Sequence, residues 1–139
     1  MGTTCSGYVE VLSSAFEPGD DDAPWLAAVS LAPLVERHYL IFCRLFGVRC
    51  EDCHGSWGEN RVPLARGRGL PARASWESAQ RLARLEDVSW ASLAEVEEAV
   101  AGIEFNDTDW GWTFVLEAMR LFGARHGEDR VRLVVGFTT

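Results

Sequence analysis

The stretch "DRVRLVVGF", Asp129 to Phe137, alternates along its length and reads as a strand near the end of the chain. Its natural partner lies at the other end. In "MGTTCSGYVEV", Met1 to Val11, Thr4, Ser6, Tyr8 and Glu10 fall on one face, and Cys5, Gly7, Val9 and Val11 on the other. Residues 8–13 (YVEVLS) are the first strand, and pairing it with the last brings both ends of the chain into one sheet.

Between these strands the sequence reads mainly as helices. Pro33 suits the first turn of a helix running to about Phe46, with Gly47 as its stop. Leu34, His38, Ile41, Phe42 and Leu45 share a face at helical spacing. A long loop rich in Gly and Arg follows from Gly47 to Ala74. Ser75 can cap a helix to about Glu86. Ser92 with Glu95 is a capping box for a helix to about Ala101. Asp107 or Thr108 can cap a last helix through His126, with Gly127 as its stop and Trp112, Val115, Leu116, Met119 and Phe122 as its apolar stripe. The expected fold is therefore α+β, one domain over 1–139, with a small terminal-strand sheet covered by three or four helices.

Composition narrows the function. With 139 residues, 47% hydrophobic and 24% charged, the chain has ordinary globular proportions. No apolar run approaches the roughly 18 residues of a membrane span. There is no basic segment followed by an apolar one, so the expectation is a cytoplasmic protein. A net charge of −8 argues against nucleic acid as a partner. All 13 basic residues are arginines, which excludes Schiff-base and P-loop lysine chemistry and suits an actinobacterial, high-GC source. No G-x-S-x-G elbow supports a serine hydrolase.

Four cysteines stand at 5, 43, 50 and 53, and in a cytosolic chain they are expected to be reduced, buried or metal-bound rather than disulfide-paired. "CEDCH", Cys50 to His54, has zinc-ligand spacing for Cys50 and Cys53, with His54 or Cys43 as further donors, but no second ligand pair. Its likeness to a haem attachment pattern carries little without export, and CxxC redox chemistry or ordinary loop thiols remain open. The triple Asp in "EPGDDDAP" (17–24) reads as a solvated loop ahead of a cation site.

The same Gly- and Arg-rich loop carries Arg49, Arg61, Arg66, Arg68 and Arg73 with Trp57. These guanidinium groups could grip an anionic ligand, or pair with Glu51, Asp52 and Glu59. Trp110 and Trp112 flank Gly111 just after Asp107 and Asp109, as pocket walls or as core. His38 reads as a core histidine, or as a general base if it meets Glu10.

Several stretches together resemble an uncharacterised family of phage and actinobacterial proteins. These are Met1-Gly2, Tyr8-Val9-Glu10-Val11, "ERHYLIFCRLFGVR" (36–49), Arg68-Gly69-Leu70-Pro71 and "RVRLVVGF" (130–137). That family opens Met-Gly-Cys-Asp-Ile-His before its Tyr-Val-Glu. The resemblance implies a small α+β domain with paired terminal strands, and a polar strand face bearing Asp, His, Tyr and Glu. Here the Cys, Asp and His positions are Thr3, Thr4 and Ser6, and Cys5 replaces the apolar Ile. The expected function is small-molecule binding, with cofactor-independent isomerase- or cyclase-like acid/base chemistry on the Tyr/Glu face. Glu10 would accept a proton, Tyr8 would donate, and His38 would assist. Ser6, Arg37, Trp57, Arg68, Asp107, Trp110 and Trp112 would line the pocket, and no metal or cofactor is assigned to it. The alternatives are a non-catalytic protein that binds another protein, with "PGDDDAPW" (18–25) as contact, and a zinc-loop protein.

Overall fold

The structure, a computed structural model, describes residues 2–17, 24–52 and 62–139. Among the described residues, four strands form one antiparallel sheet: β1 (Thr4–Leu12), β2 (Trp25–Ser30), β3 (Glu86–Ser92) and β4 (Val131–Thr138), in the order β2-β1-β4-β3. The terminal strands pair centrally, Thr4 opposite Thr138 and Val11 opposite Val131. The fold is α+β.

Alternation on β1 and β4 divides the interior in two. Cys5, Val9 and Val11 join Leu133, Val135 and Phe137 on one face, under α1 (Tyr39–Phe46), α3 (Leu93–Val100) and α4 (Trp110–His126). Phe137 packs edge-on to Phe42 at 5.1 Å and Phe46 at 5.8 Å, so β4 and α1 share an aromatic contact. On the other face Tyr8 and Val134 pack with Leu82 of α2 (Trp76–Leu82). The chain crosses between the two layers around the β3 edge. Ala65 donates to the Leu45 carbonyl, the Ser89 hydroxyl donates to the Ala65 carbonyl, and Gly69 donates to the Val88 carbonyl.

Several elements differ from expectation. The first helix begins at Tyr39, not Pro33, and His38 is its N-cap, with Nδ1 accepting from the Ile41 amide. Residues 33–37 are turn and irregular backbone after a cis Ala32–Pro33 peptide. The helix that Ser75 caps stops at Leu82, and the residues expected at its end lead into β3. β2 and β3 are additional strands. Asn106, rather than Asp107 or Thr108, caps the turn before α4 by accepting from the Thr108 amide. The Ser92–Glu95 capping box and the Gly127 stop stand as read.

The cysteines also differ. Cys43 and Cys50 form a disulfide between α1 and the turn behind it, their Cα atoms 4.7 Å apart. Seven residues of separation and the reversal at Gly47 bring them together. Two of the four supposed zinc donors are therefore not thiolates. Cys53 and His54 lie outside the described residues, and among the described residues no group of three donors could hold a metal. Cys5 is free and buried in the core, where burial pushes its thiol far above the ordinary value. Among the described residues no helix is long and apolar enough to cross a membrane.

Candidate functional site

The polar face of β1 is built, but for two different tasks. Glu10 is fully buried and opposite Arg132 in the β1–β4 register. One carboxylate oxygen accepts from Arg132 Nε at 2.8 Å and lies 2.7 Å from its Nη2. The other accepts from the Ser75 amide at 2.8 Å and the Ser78 hydroxyl at 2.6 Å. Ser75 Oγ in turn accepts from the Ser78 amide, closing the first turn of α2. The Arg132 guanidinium lies 3.8 Å over the Trp25 ring and donates to the Arg73 carbonyl. Burial pushes Arg132 below the usual arginine value, and Glu10 opposes that shift. Glu10 thus fastens α2 to the sheet. It has neither a free lone pair aimed at solvent nor access for a substrate, which corrects its expected part as proton acceptor.

Further along the same face, Ser6 and Tyr8 open onto a cleft of about 280 Å³. Ser30 stands opposite Tyr8 across β1–β2, and Arg81, Leu82 and Leu85 form the wall from α2 and its end. Among the described residues no hydrogen bond engages the Tyr8 hydroxyl, the Ser6 hydroxyl or the Arg81 guanidinium. Gly7 is obligatory at the floor, since a Cβ there would lie 2.0 Å from the Val134 carbonyl oxygen. Arg81 and Ser30 escape sequence reasoning because α2's orientation decides the first and the β1–β2 register the second. With the helix phase known, Arg81 beside buried Leu82 is the one signal available.

The remaining candidates gather elsewhere. Arg37, Asp107 and Trp110 border an open cleft of about 790 Å³ with Glu36, Thr108 and Asp109, where α4 begins. Trp112 is buried in the core and donates from its indole to the Glu36 carbonyl at 2.8 Å, so it is wall support rather than contact surface. Arg37 reaches back to the Thr4 hydroxyl at 3.3 Å. His38 Nε2 lies 3.9 Å from Asp109 Oδ2, against the Phe105 ring. Burial lowers its value, partly opposed by Asp109 and reinforced by Arg44. Because Nδ1 accepts the Ile41 amide, the neutral ring carries its proton on Nε2 and has no lone pair free for a base. His38 does not contact Glu10, whose partners are Arg132, Ser75 and Ser78, and the expected pairing is corrected.

Arg68 is committed too. It forms a bidentate pair with Glu95 at 2.8 and 2.5 Å, donates to the Leu64 and Trp90 carbonyls, and covers the Trp90 ring at 4.8 Å. Burial raises the Glu95 carboxyl, but hydrogen bonds from Arg68 and Ser92 outweigh it and hold the group below the usual range. Arg68 therefore ties the crossing loop to α3 rather than presenting a free cation. Trp57 lies outside the described residues. Compared with family models, with curated proteins and with solved structures, the chain has no match in any of the three.

Proposed function

We propose that this chain is a small-molecule-binding protein whose ligand is a small anion, carboxylate or phosphate, held in the cleft over β1. The observation that carries the reading is the uncommitted Tyr8 hydroxyl beside Ser6 and the Arg81 guanidinium in a concave site. A guanidinium grips two anionic oxygens at once, and the hydroxyls fix orientation. The likeness of the opening stretch to the phage and actinobacterial family belongs to this reading, since Ser6 stands at that family's His position on this face. With Glu10 spent on α2, Tyr8 remains as a donor to negative charge on a ligand, and binding is better supported than proton abstraction. A cytoplasmic location is part of this proposal. The disulfide opposes that placement, because such bonds persist in oxidising surroundings.

Titration of the protein with succinate, citrate and inorganic phosphate, followed by amide chemical shifts, tests the reading. Saturable shifts at Ser6, Tyr8 and Arg81 support it, with Arg81→Ala weakening binding about tenfold and Tyr8→Phe somewhat less. Absence of saturation with all three probes, or binding that Arg81→Ala leaves intact, overturns it.

A further inference from the structure

The longest helix among the described residues carries large apolar side chains on two faces. Trp112, Val115, Leu116 and Met119 of α4 are buried in the core. On the opposite side Trp110 is 58% exposed, Phe114 46% and Leu121 71%. At 100° per residue, positions 110, 114, 117, 121 and 125 form one narrow stripe along α4, about 22 Å long. Trp110 and Phe114 already touch edge-on at 6.4 Å, so the N-terminal end of the stripe is a preformed aromatic pair. Three large apolar side chains left exposed on one stripe call for cover.

Charge specifies the cover. Trp110 shares its cleft with Glu36, Asp107 and Asp109, and Arg37 is the one cation there. The other end carries Arg125 and His126 in the last turn. Glu128 follows but turns toward α3, where it borders a cleft with Leu93, Glu97 and Arg120. The stripe is therefore acidic at the start and basic at the end. Parallel pairing would set like charges together. Antiparallel pairing sets Arg125 of a second copy beside Trp110 and Asp107, brings Phe114 opposite Leu121, and opposes the helix dipoles. Glu117 near the centre pairs with its own Arg120 at 2.7 Å, a guanidinium it shares with Glu97 of α3.

We propose that the outward face of α4 is a self-association surface on which two copies of this chain pair as antiparallel helices about a twofold axis. Each contact then occurs twice, so single substitutions act doubly. This surface is separate from the β1 cleft and does not rest on it.

Sedimentation velocity of the full chain over a concentration series tests the proposal. A reversible dimer is expected at roughly 1–100 μM. Phe114→Glu and Leu121→Glu, both at exposed positions, should weaken it by at least about tenfold while circular dichroism stays unchanged. Asp107→Arg and Arg125→Asp should each weaken it, and the double variant should restore it. A chain monomeric to roughly 200 μM overturns the proposal and leaves this face to a different partner. A dimer indifferent to Leu121→Glu, or a charge-swapped pair that fails to recover, overturns it equally.

Discussion

Glu10 and Arg132 face each other across the two central strands, and their ion pair anchors a helix that belongs to neither strand. The pair is buried, so its value lies in completeness: every oxygen of Glu10 has a partner. Removing one member leaves the other charged and unmatched. Glu10→Gln should therefore cost about 3 kcal/mol, seen as a lower urea midpoint at unchanged slope. Ser78→Ala, which removes one neutral donor to a carboxylate, should cost about 1–2 kcal/mol. Equal small losses for both would remove the anchoring role.

His38 gives the fold a pH dependence whose direction follows from its cap. Protonating Nδ1 breaks the bond to the Ile41 amide, and burial disfavours the charge. The folded value lies below the ordinary 6.5, so the unfolded chain takes up the proton first. This contribution is complete above that pH and is lost as pH falls through the lowered folded value. Asp109 partly offsets the effect. Chemical denaturation between pH 7.5 and 5 should show falling stability, and His38→Asn, which retains an N-cap acceptor, should flatten the slope.

Reduction of the Cys43–Cys50 bond frees a loop of about eight residues in the unfolded chain, which is worth about 2 kcal/mol. Dithiothreitol should lower the melting temperature. Alkylation with mass readout should leave Cys43 and Cys50 unlabelled until reduction. Cys5 should resist labelling until the protein unfolds, since its core burial disfavours the thiolate. Immediate labelling of Cys43 in untreated protein would contradict the pairing.

Gly111 marks where α4 crosses the 34–35 turn. A Cβ there would lie 1.7 Å from the Leu34 carbonyl oxygen. Gly111→Ala gains about 1 kcal/mol of helix propensity but must push backbone from backbone, which costs at least about 1–3 kcal/mol. The net effect should be destabilising. Amide shifts should concentrate at Leu34, Val35 and the Glu36–Trp110 cleft.

What the sequence made legible was local. Alternation in β1 and β4 disclosed their pairing, and Ser92 with Glu95 marked the start of α3, because those signals lie within a few residues. β3 stayed hidden because it opens on Glu86 and Asp87, with a register shift before Ser89 and a positive φ at Asp87, so regular alternation covers little of it. β2 is a short edge strand whose outward residues include Leu26, which blurs its pattern. Pro33 resembled a helix start on composition alone, yet the cap is five residues later at His38. The polar face of β1 was visible, but its division was not. Whether Glu10 is free or spent depends on Ser75 and Ser78, 65 and 68 residues away. Nothing in the spacing of either stretch announces that meeting.

The central pairing of β1 with β4 sets a schedule for synthesis. Glu10 leaves the ribosome 122 residues before Arg132, its partner. At ordinary elongation rates of about 5–20 residues per second, that interval is on the order of ten seconds. Throughout it β2 can protect only one side of β1, and Val9 and Val11 lack the β4 half of their core. The nascent chain therefore carries an open strand edge throughout that interval, and the sheet closes when β4 slides between two strands already made.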